Sequence, residues 1–284
     1  MTTEPRSWLF VPGDSTRKVL KALECGADAI IFDLEDSVAP GQKAAARDLL
    51  KGLPPREGGP AWWLRVNPLG TEDHKKDLEL FGRADLTGIV LPKTETGADV
   101  TQLAHRTGSI PIHAITTETA ASLFGLLSYR DPKSPLSAMS WGAEDLSASL
   151  GASSKYDASG ALSFTYQLAR SLCLAGAIAA GVQPVDTIFA DFRDEAGVIA
   201  EAQAAARDGF TGKLAIHPDQ VAPINAAFTP SPDEVAHARI VVNAFAAAPT
   251  AGVLSIDGRM IDLPHLTQAE RVLRRAGPVL VKAN

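Results

Sequence analysis

Cysteine is nearly absent. Only Cys25 and Cys173 occur in 284 residues, one on each of two predicted helices, which argues against a disulfide scaffold and fits a reduced, cytoplasmic setting. Both thiols are expected in the core. Long apolar runs are missing too: Met1 to Ser7 lacks a signal core, and Leu172 to Val182 is too short and glycine-rich to span a bilayer. A soluble chain with no membrane partner is expected. Positive charge is not in excess, with Lys+Arg 27 against Asp+Glu 33 and a formal net charge of -6. No basic block or aromatic-basic interleaving occurs, which argues against nucleic acid as the main partner. No G-x-G-x-x-G follows the first predicted strand, and there is no cysteine cluster, H-E-x-x-H, low-complexity segment or internal repeat beyond a βα period.

What is present is ample core material, 45% hydrophobic against 21% charged residues. Short β-branched or aromatic runs alternate with alanine-rich helical patterns, the mark of repeated βα units around a parallel sheet. The predicted strands are Trp8 to Val11, Ala29 to Leu34, Trp62 to Val66, Gly88 to Leu91, Ile112 to Thr116, Ala138 to Trp141, Thr187 to Ala190 and Leu214 to Ile216. Helical patterns lie at Ser15 to Glu24, Gln42 to Lys51, Glu72 to Phe81, Ala98 to Arg106, Thr119 to Tyr129, Ala161 to Ala180, Asp194 to Asp208 and Pro218 to Ala227. Eight such units predict an α/β fold of the (β/α)8 TIM barrel type over residues 1–228. Residues 229–284 then form a C-terminal helical lid segment: a helix from Asp233 to Ala247, a strand at Val253 to Ile256, a turn at Asp257-Gly258 and a helix from Thr267 to Ala276. The tail beyond Ala248 is too small for its own core. It is expected to pack on the barrel or on a neighbouring subunit.

In such barrels the reacting groups sit where strands run into their following loops. The strand ends here read Pro12-Gly13-Asp14, Asp33-Leu34-Glu35-Asp36, Arg65-Val66-Asn67, Lys93, Glu118, Glu144-Asp145, Asp191 and His217. Carboxylates gathered in one mouth repel unless a cation stands among them. An all-oxygen set favours Mg2+, with Mn2+ as the alternative, over zinc. Each acid also has a structural reading: Glu118 and Asp145 as helix N-terminal acids, and Arg65 as an ion-pair partner of Glu35 or Asp36. Among the histidines, His74, His105, His237 and His265 read as surface residues and His113 as a strand residue.

Several motifs then match in order and spacing: Arg6 to Gly13, Asp33 to Pro40 with Lys43, Arg65-Val66-Asn67, Leu91-Pro92-Lys93, Glu118-Thr119-Ala120, Gly142 to Leu146, Gly212 to Pro218 and Gly258 to Asp262. On these pieces, almost end to end, the chain resembles the citrate lyase β-subunit/malyl-CoA lyase family of CoA-ester lyases within the HpcH/HpaI aldolase superfamily. The resemblance implies Mg2+ on Glu118 and Asp145, and substrate contact by Arg65. It also implies CoA contacts from Phe10, Lys21, Ile216 and His217, with Glu144 as a neighbour lending its backbone to substrate. Glu35, Asp36 and Lys93 support these groups. Asp262 is the candidate base, carried on a lid from the adjacent subunit of a homotrimer or hexamer, with a cap of its own helix as the structural alternative. The reaction implied joins or cleaves a C–C bond between an acyl-CoA thioester and an α-oxo acid or aldehyde. The alternatives are a citrate lyase β subunit acting on an acyl-carrier protein, and a thioesterase or non-catalytic binder. One departure concerns CoA phosphate: some relatives carry arginine just after the first-strand glycine, where this chain has Asp14-Ser15 and offers Arg17 or Lys18 a turn later.

Overall fold

The structure, a computed structural model, describes residues 4–55, 58–83 and 85–276. Its internal contacts divide the chain into two compact units, Pro5–Asn225 and one built after Asn225. The first is a closed parallel barrel in the order β1 to β8, the predicted (β/α)8 architecture. Its strands are β1 Ser7–Pro12, β2 Ala29–Asp33, β3 Ala61–Arg65, β4 Gly88–Leu91, β5 Ile112–Ile115, β6 Leu136–Ser140, β7 Gln183–Asp186 and β8 Gly212–Ala215. The intervening helices are α1 Thr16–Ala22, α2 Lys43–Lys51, α3 Glu72–Asp77, α4 Gly97–Thr107, α5 Ser122–Gly125, α6 Ala143–Leu150, α7 Phe164–Ala180 and α8 Glu195–Asp208, with α9 Val221–Phe228 after β8.

One apolar cluster joins Trp8, Ala29, Ile31, Trp63, Val90, Ile115, Ala138, Val185 and Leu214. Every strand of the barrel supplies a member, which only the barrel interior permits. Glycine at 88 makes room for it, since a β-carbon there would stand 2.3 Å from Trp63 Cζ3. His113 is wholly buried in this layer, edge-on to Trp8 at 4.7 Å, with Nε2 2.9 Å from Ser140 Oγ. Burial alone lowers its pKa to about 3, so it is a neutral core imidazole.

The seventh strand departs from expectation. The run Thr187 to Ala190 looks β-like, but α7 ends on Gly181 in the left-handed conformation and the chain enters the sheet at once, pairing Ala138 with Gln183 and Ser140 with Val185. Pro184 and the polar ends of Gln183–Asp186 disguise that strand, and sheet register overrides local propensity. The carboxylate closing β7 is therefore Asp186. Asp191 lies in the exposed loop beyond.

Asp186 is almost wholly buried and accepts from the Trp141 indole at 2.7 Å; Arg170 Nε stands 3.1 Å and Lys213 Nζ 3.3 Å away. These cations hold its pKa below the ordinary carboxylate value against the opposing effect of burial. The fully buried Lys213 also donates to Thr187 O and Glu201. The ammonium is thus surrounded by oxygen.

Two further expectations change. Cys173 is buried as anticipated, but Cys25 is only half-buried, its thiol donating to Ala22 O. His74 is buried rather than superficial, with Nδ1 2.8 Å from Asn67 O.

In the second unit α10 Pro232–Ala247 packs with α11 Leu263–Ala276 and with the antiparallel hairpin β9 Val253–Ile256 and β10 Arg259–Asp262. Ser231 caps α10 through a capping box with Glu234. With α10 included this unit owns a small core of Ala238, Val241, Phe245, Ile261 and Ala269. The last helix starts four residues before the predicted Thr267, and Asp262, just before it, has its carboxylate 2.5 Å from His265 Nδ1. Among the described residues no helix is long and apolar enough to cross a membrane.

Candidate active site

Parallel pairing places Asp33 at the end of β2 directly beside Arg65 at the end of β3. The guanidinium donates through Nε to Asp33 Oδ1 at 2.7 Å and through Nη2 to Oδ2 at 2.6 Å, a bidentate clamp. Arg65 Nη1 stands 2.9 Å from Glu35 Oε2 without hydrogen-bond alignment. The Phe10 ring lies 4.6 Å below the guanidinium carbon. Burial would lower the Arg65 pKa, but Asp33, Glu35 and Glu118 outweigh it and raise it. Asp33 is held below the ordinary carboxylate range by Arg65, against burial. Arg65 is a permanent, oriented cation at the mouth.

The loop after β4 brings in Lys93, a non-glycine residue at φ +53. Its backbone N–H donates to Glu118 Oε2 at 2.5 Å, and its ammonium lies 2.5 Å from Glu35 Oε1, 3.2 Å from Asp36 and 3.3 Å from Asp145 Oδ1. Thr117, just before Glu118, also takes positive φ, +78. For a β-branched residue that backbone is a strained outlier of the kind found at functional sites. Glu118 is 3% exposed, and burial pushes its pKa up to about 8, with Asp145 and Glu35 adding and Lys93 opposing. Burial likewise raises Glu35, against the pull of Arg65 and Lys93.

The loop after β6 completes the cluster. Glu144 and Asp145 occupy the first turn of α6, a helix absent from the predicted elements, and the helix-dipole reading of these acids is realised alongside their place at the mouth. Glu144 points away and pairs with Lys155. Asp145 turns toward Lys93 and is coulombically coupled to Glu118.

Arg65, Glu35, Asp36, Lys93, Glu118 and Asp145 thus converge, with Phe10 beneath them. The remaining predicted residues make other contacts. Lys21 is exposed on α1. The Ile216 and His217 amides donate to Gln220, and the His217 ring stacks on Phe192 at 4.6 Å. In the second unit the Asp262 carboxylate pairs with His265. Asp33, read from the sequence as one of the strand-end acids, was given no role there. The alternation Ala29, Ile31, Asp33 along one strand was the available sign that it faces inward with Arg65.

The chemistry of the donors fits a hard divalent cation. Glu118 and Asp145 offer carboxylate oxygens, and Glu118 is buried among like charges whose repulsion a cation would relieve. The described residues hold no group of three or more His, Cys, Asp or Glu disposed around one ion. Two carboxylates, with water and substrate completing the shell, is the usual manner of magnesium.

The HpcH/HpaI aldolase/citrate lyase family profile matches residues 6–218. The chain belongs to this family. It is an enzyme by that membership, and named relatives act on CoA esters as lyases or thioesterases. It is 37% identical to a (3S)-malyl-CoA thioesterase of Cereibacter sphaeroides, over 95% of this chain and 94% of the relative. With the mitochondrial citramalyl-CoA lyase of Rattus norvegicus the identity is 32%, over 98% and 87%. Among solved structures it matches CitE of Mycobacterium tuberculosis in complex with magnesium, acetoacetate and coenzyme A. That match has a TM-score of 0.82 and 37% identity, and covers 97% of this chain and 99% of CitE.

Proposed function

We propose that the protein is a Mg2+-dependent lyase that cleaves or forms a C–C bond between an acyl-CoA enolate and an α-oxo acid or aldehyde, in the manner of malyl-CoA or citramalyl-CoA lyases. The convergence of Glu118, Asp145, Arg65 and Lys93 at adjoining strand ends is the observation that carries this reading. Glu118 and Asp145 would hold Mg2+, which when bound supplies Lewis-acid polarisation of the oxo-acid carbonyl. Arg65, fixed by Asp33 over Phe10, stabilises oxyanion charge as it develops. Asp262 is the base in this reading: it takes the hydroxyl proton of the 3-hydroxyacyl thioester in cleavage, or the α-proton of the acyl group in condensation. Lys21, Ile216 and His217 are assigned to CoA, and Glu144 to a backbone contact with substrate. A homotrimer or hexamer in the cytoplasm, with the lid of one subunit serving its neighbour, completes the proposal.

The thioesterase relative keeps a second reading open, in which the acyl-CoA is hydrolysed. Incubation with Mg2+, acetyl-CoA and glyoxylate, followed by mass spectrometry, decides between them. Malyl-CoA is the expected product; no adduct with glyoxylate, pyruvate or oxaloacetate overturns the lyase reading. Free CoA with a hydroxy acid and no accumulating thioester establishes the thioesterase, and dependence on an added acyl-carrier protein establishes a citrate lyase β subunit.

A further inference from the structure

Lys93 touches both candidate metal ligands, and by different parts of itself. Its amide donates to Glu118 Oε2, while its ammonium lies 3.3 Å from Asp145 Oδ1 and 2.5 Å from Glu35 Oε1. The left-handed backbone at φ +53 is the conformation in which one residue does both. Arg65, the other cation of the cluster, is engaged by the bidentate Asp33 and by Glu35. Asp145 therefore takes its compensating charge from the Lys93 ammonium, the cation facing it.

We propose that Lys93 is a built-in counter-cation of the metal site: its ammonium holds Asp145 while the site is empty and must yield that carboxylate when a divalent ion enters. Lys93 then sets metal affinity from above. It competes for one ligand and repels the incoming charge, so the ion binds more weakly than the two carboxylates alone would bind it. The inference rests on the Mg2+ reading given above. Its direction is opposite to that of an ordinary supporting residue, whose loss weakens metal affinity. Lys93 is a positioning residue for Asp145, not a metal ligand.

Mn2+ titration followed by electron paramagnetic resonance reads affinity directly, without turnover. Lys93→Met keeps the side-chain length and the amide that serves Glu118, but removes the charge. It should bind Mn2+ about tenfold more tightly or better, from the loss of one positive charge within contact of a ligand. Lys93→Gly suits the left-handed backbone and keeps the same amide, so it should bind more tightly too, even if the methionine variant folds poorly. Lys93→Arg keeps the charge and should restore affinity close to wild type. Unchanged or weaker binding by the neutral variants overturns the counter-cation. Absence of Mn2+ binding by the wild type overturns the metal reading itself, and this inference with it.

Discussion

Gly142 lies against the carboxylate of Glu118: a β-carbon at 142 would stand 2.6 Å from Glu118 Cγ and 2.9 Å from Oε1. The Gly142 backbone, at φ -120 and ψ 104, is one that alanine adopts without strain. Gly142→Ala is therefore a steric probe of a single side chain. It should displace Glu118 and reduce metal affinity and turnover by about 10–100-fold, with a nearly unchanged melting temperature. Wild-type Mn2+ affinity in this variant would show that Glu118 does not ligate.

Asp145→Ala removes the other carboxylate. The side chain is 32% exposed and, among the described residues, its ion-pair partner is the Lys93 ammonium, so the fold does not depend on it. Mg2+-dependent turnover should be abolished while circular dichroism and thermal unfolding stay close to wild type. Full activity would sink the assignment of the metal site.

Asp33→Asn tests the clamp on Arg65. Both side chains are largely buried, and removing one partner of a buried pair costs about 3–5 kcal/mol. The pH dependence has a definite sign. Because Arg65 holds the Asp33 pKa down in the folded state, the carboxylate contributes stability that is complete above its unfolded pKa, about 3.9. That contribution is lost as pH falls further, through the folded value. Urea unfolding between neutral pH and pH 3 should show a steeper acid loss in wild type than in Asp33→Asn. Parallel curves would contradict the coupling.

Asp262→Asn addresses the proposed base. Its carboxylate lies 2.5 Å from His265 Nδ1 at the start of α11. Loss of general-base catalysis should lower kcat by about 100- to 10,000-fold, with Mn2+ binding unchanged. His265→Ala, which keeps the carboxylate, should lower it less. An Asp262→Asn variant with normal kcat would reduce Asp262 to a helix cap.

The sequence made the barrel legible because buried parallel strands are short β-branched or aromatic runs, and seven of the eight predicted runs overlap an observed strand. The seventh failed where Gln183-Pro184-Val185-Asp186 satisfies the sheet with a proline and a buried charge, features that local preference counts against a strand. The helix α6 was hidden because its acidic first turn also reads as a polar loop. Glu118, Asp145, Arg65 and Lys93 were legible as charges ending apolar runs. What no spacing carries is pairing across strands: that Asp33 clamps Arg65, or that Lys93 bends backward to serve Glu118 and Asp145 together. Those relations depend on register and on a backbone conformation that lysine seldom adopts.

The shortest ladder of the barrel joins β7 to β8, with only Val185 opposite Gly212 and Asp186 opposite Lys213, against five pairs between β1 and β2. The Asp186 and Lys213 charges meet at that seam, 1% and 0% exposed. Dissolved ions screen exposed charges, most of all those more than about 8 Å apart at physiological ionic strength. They cannot enter here. The ring is therefore closed at its thinnest point by an attraction that salt weakens far less than it weakens the surface ion pairs.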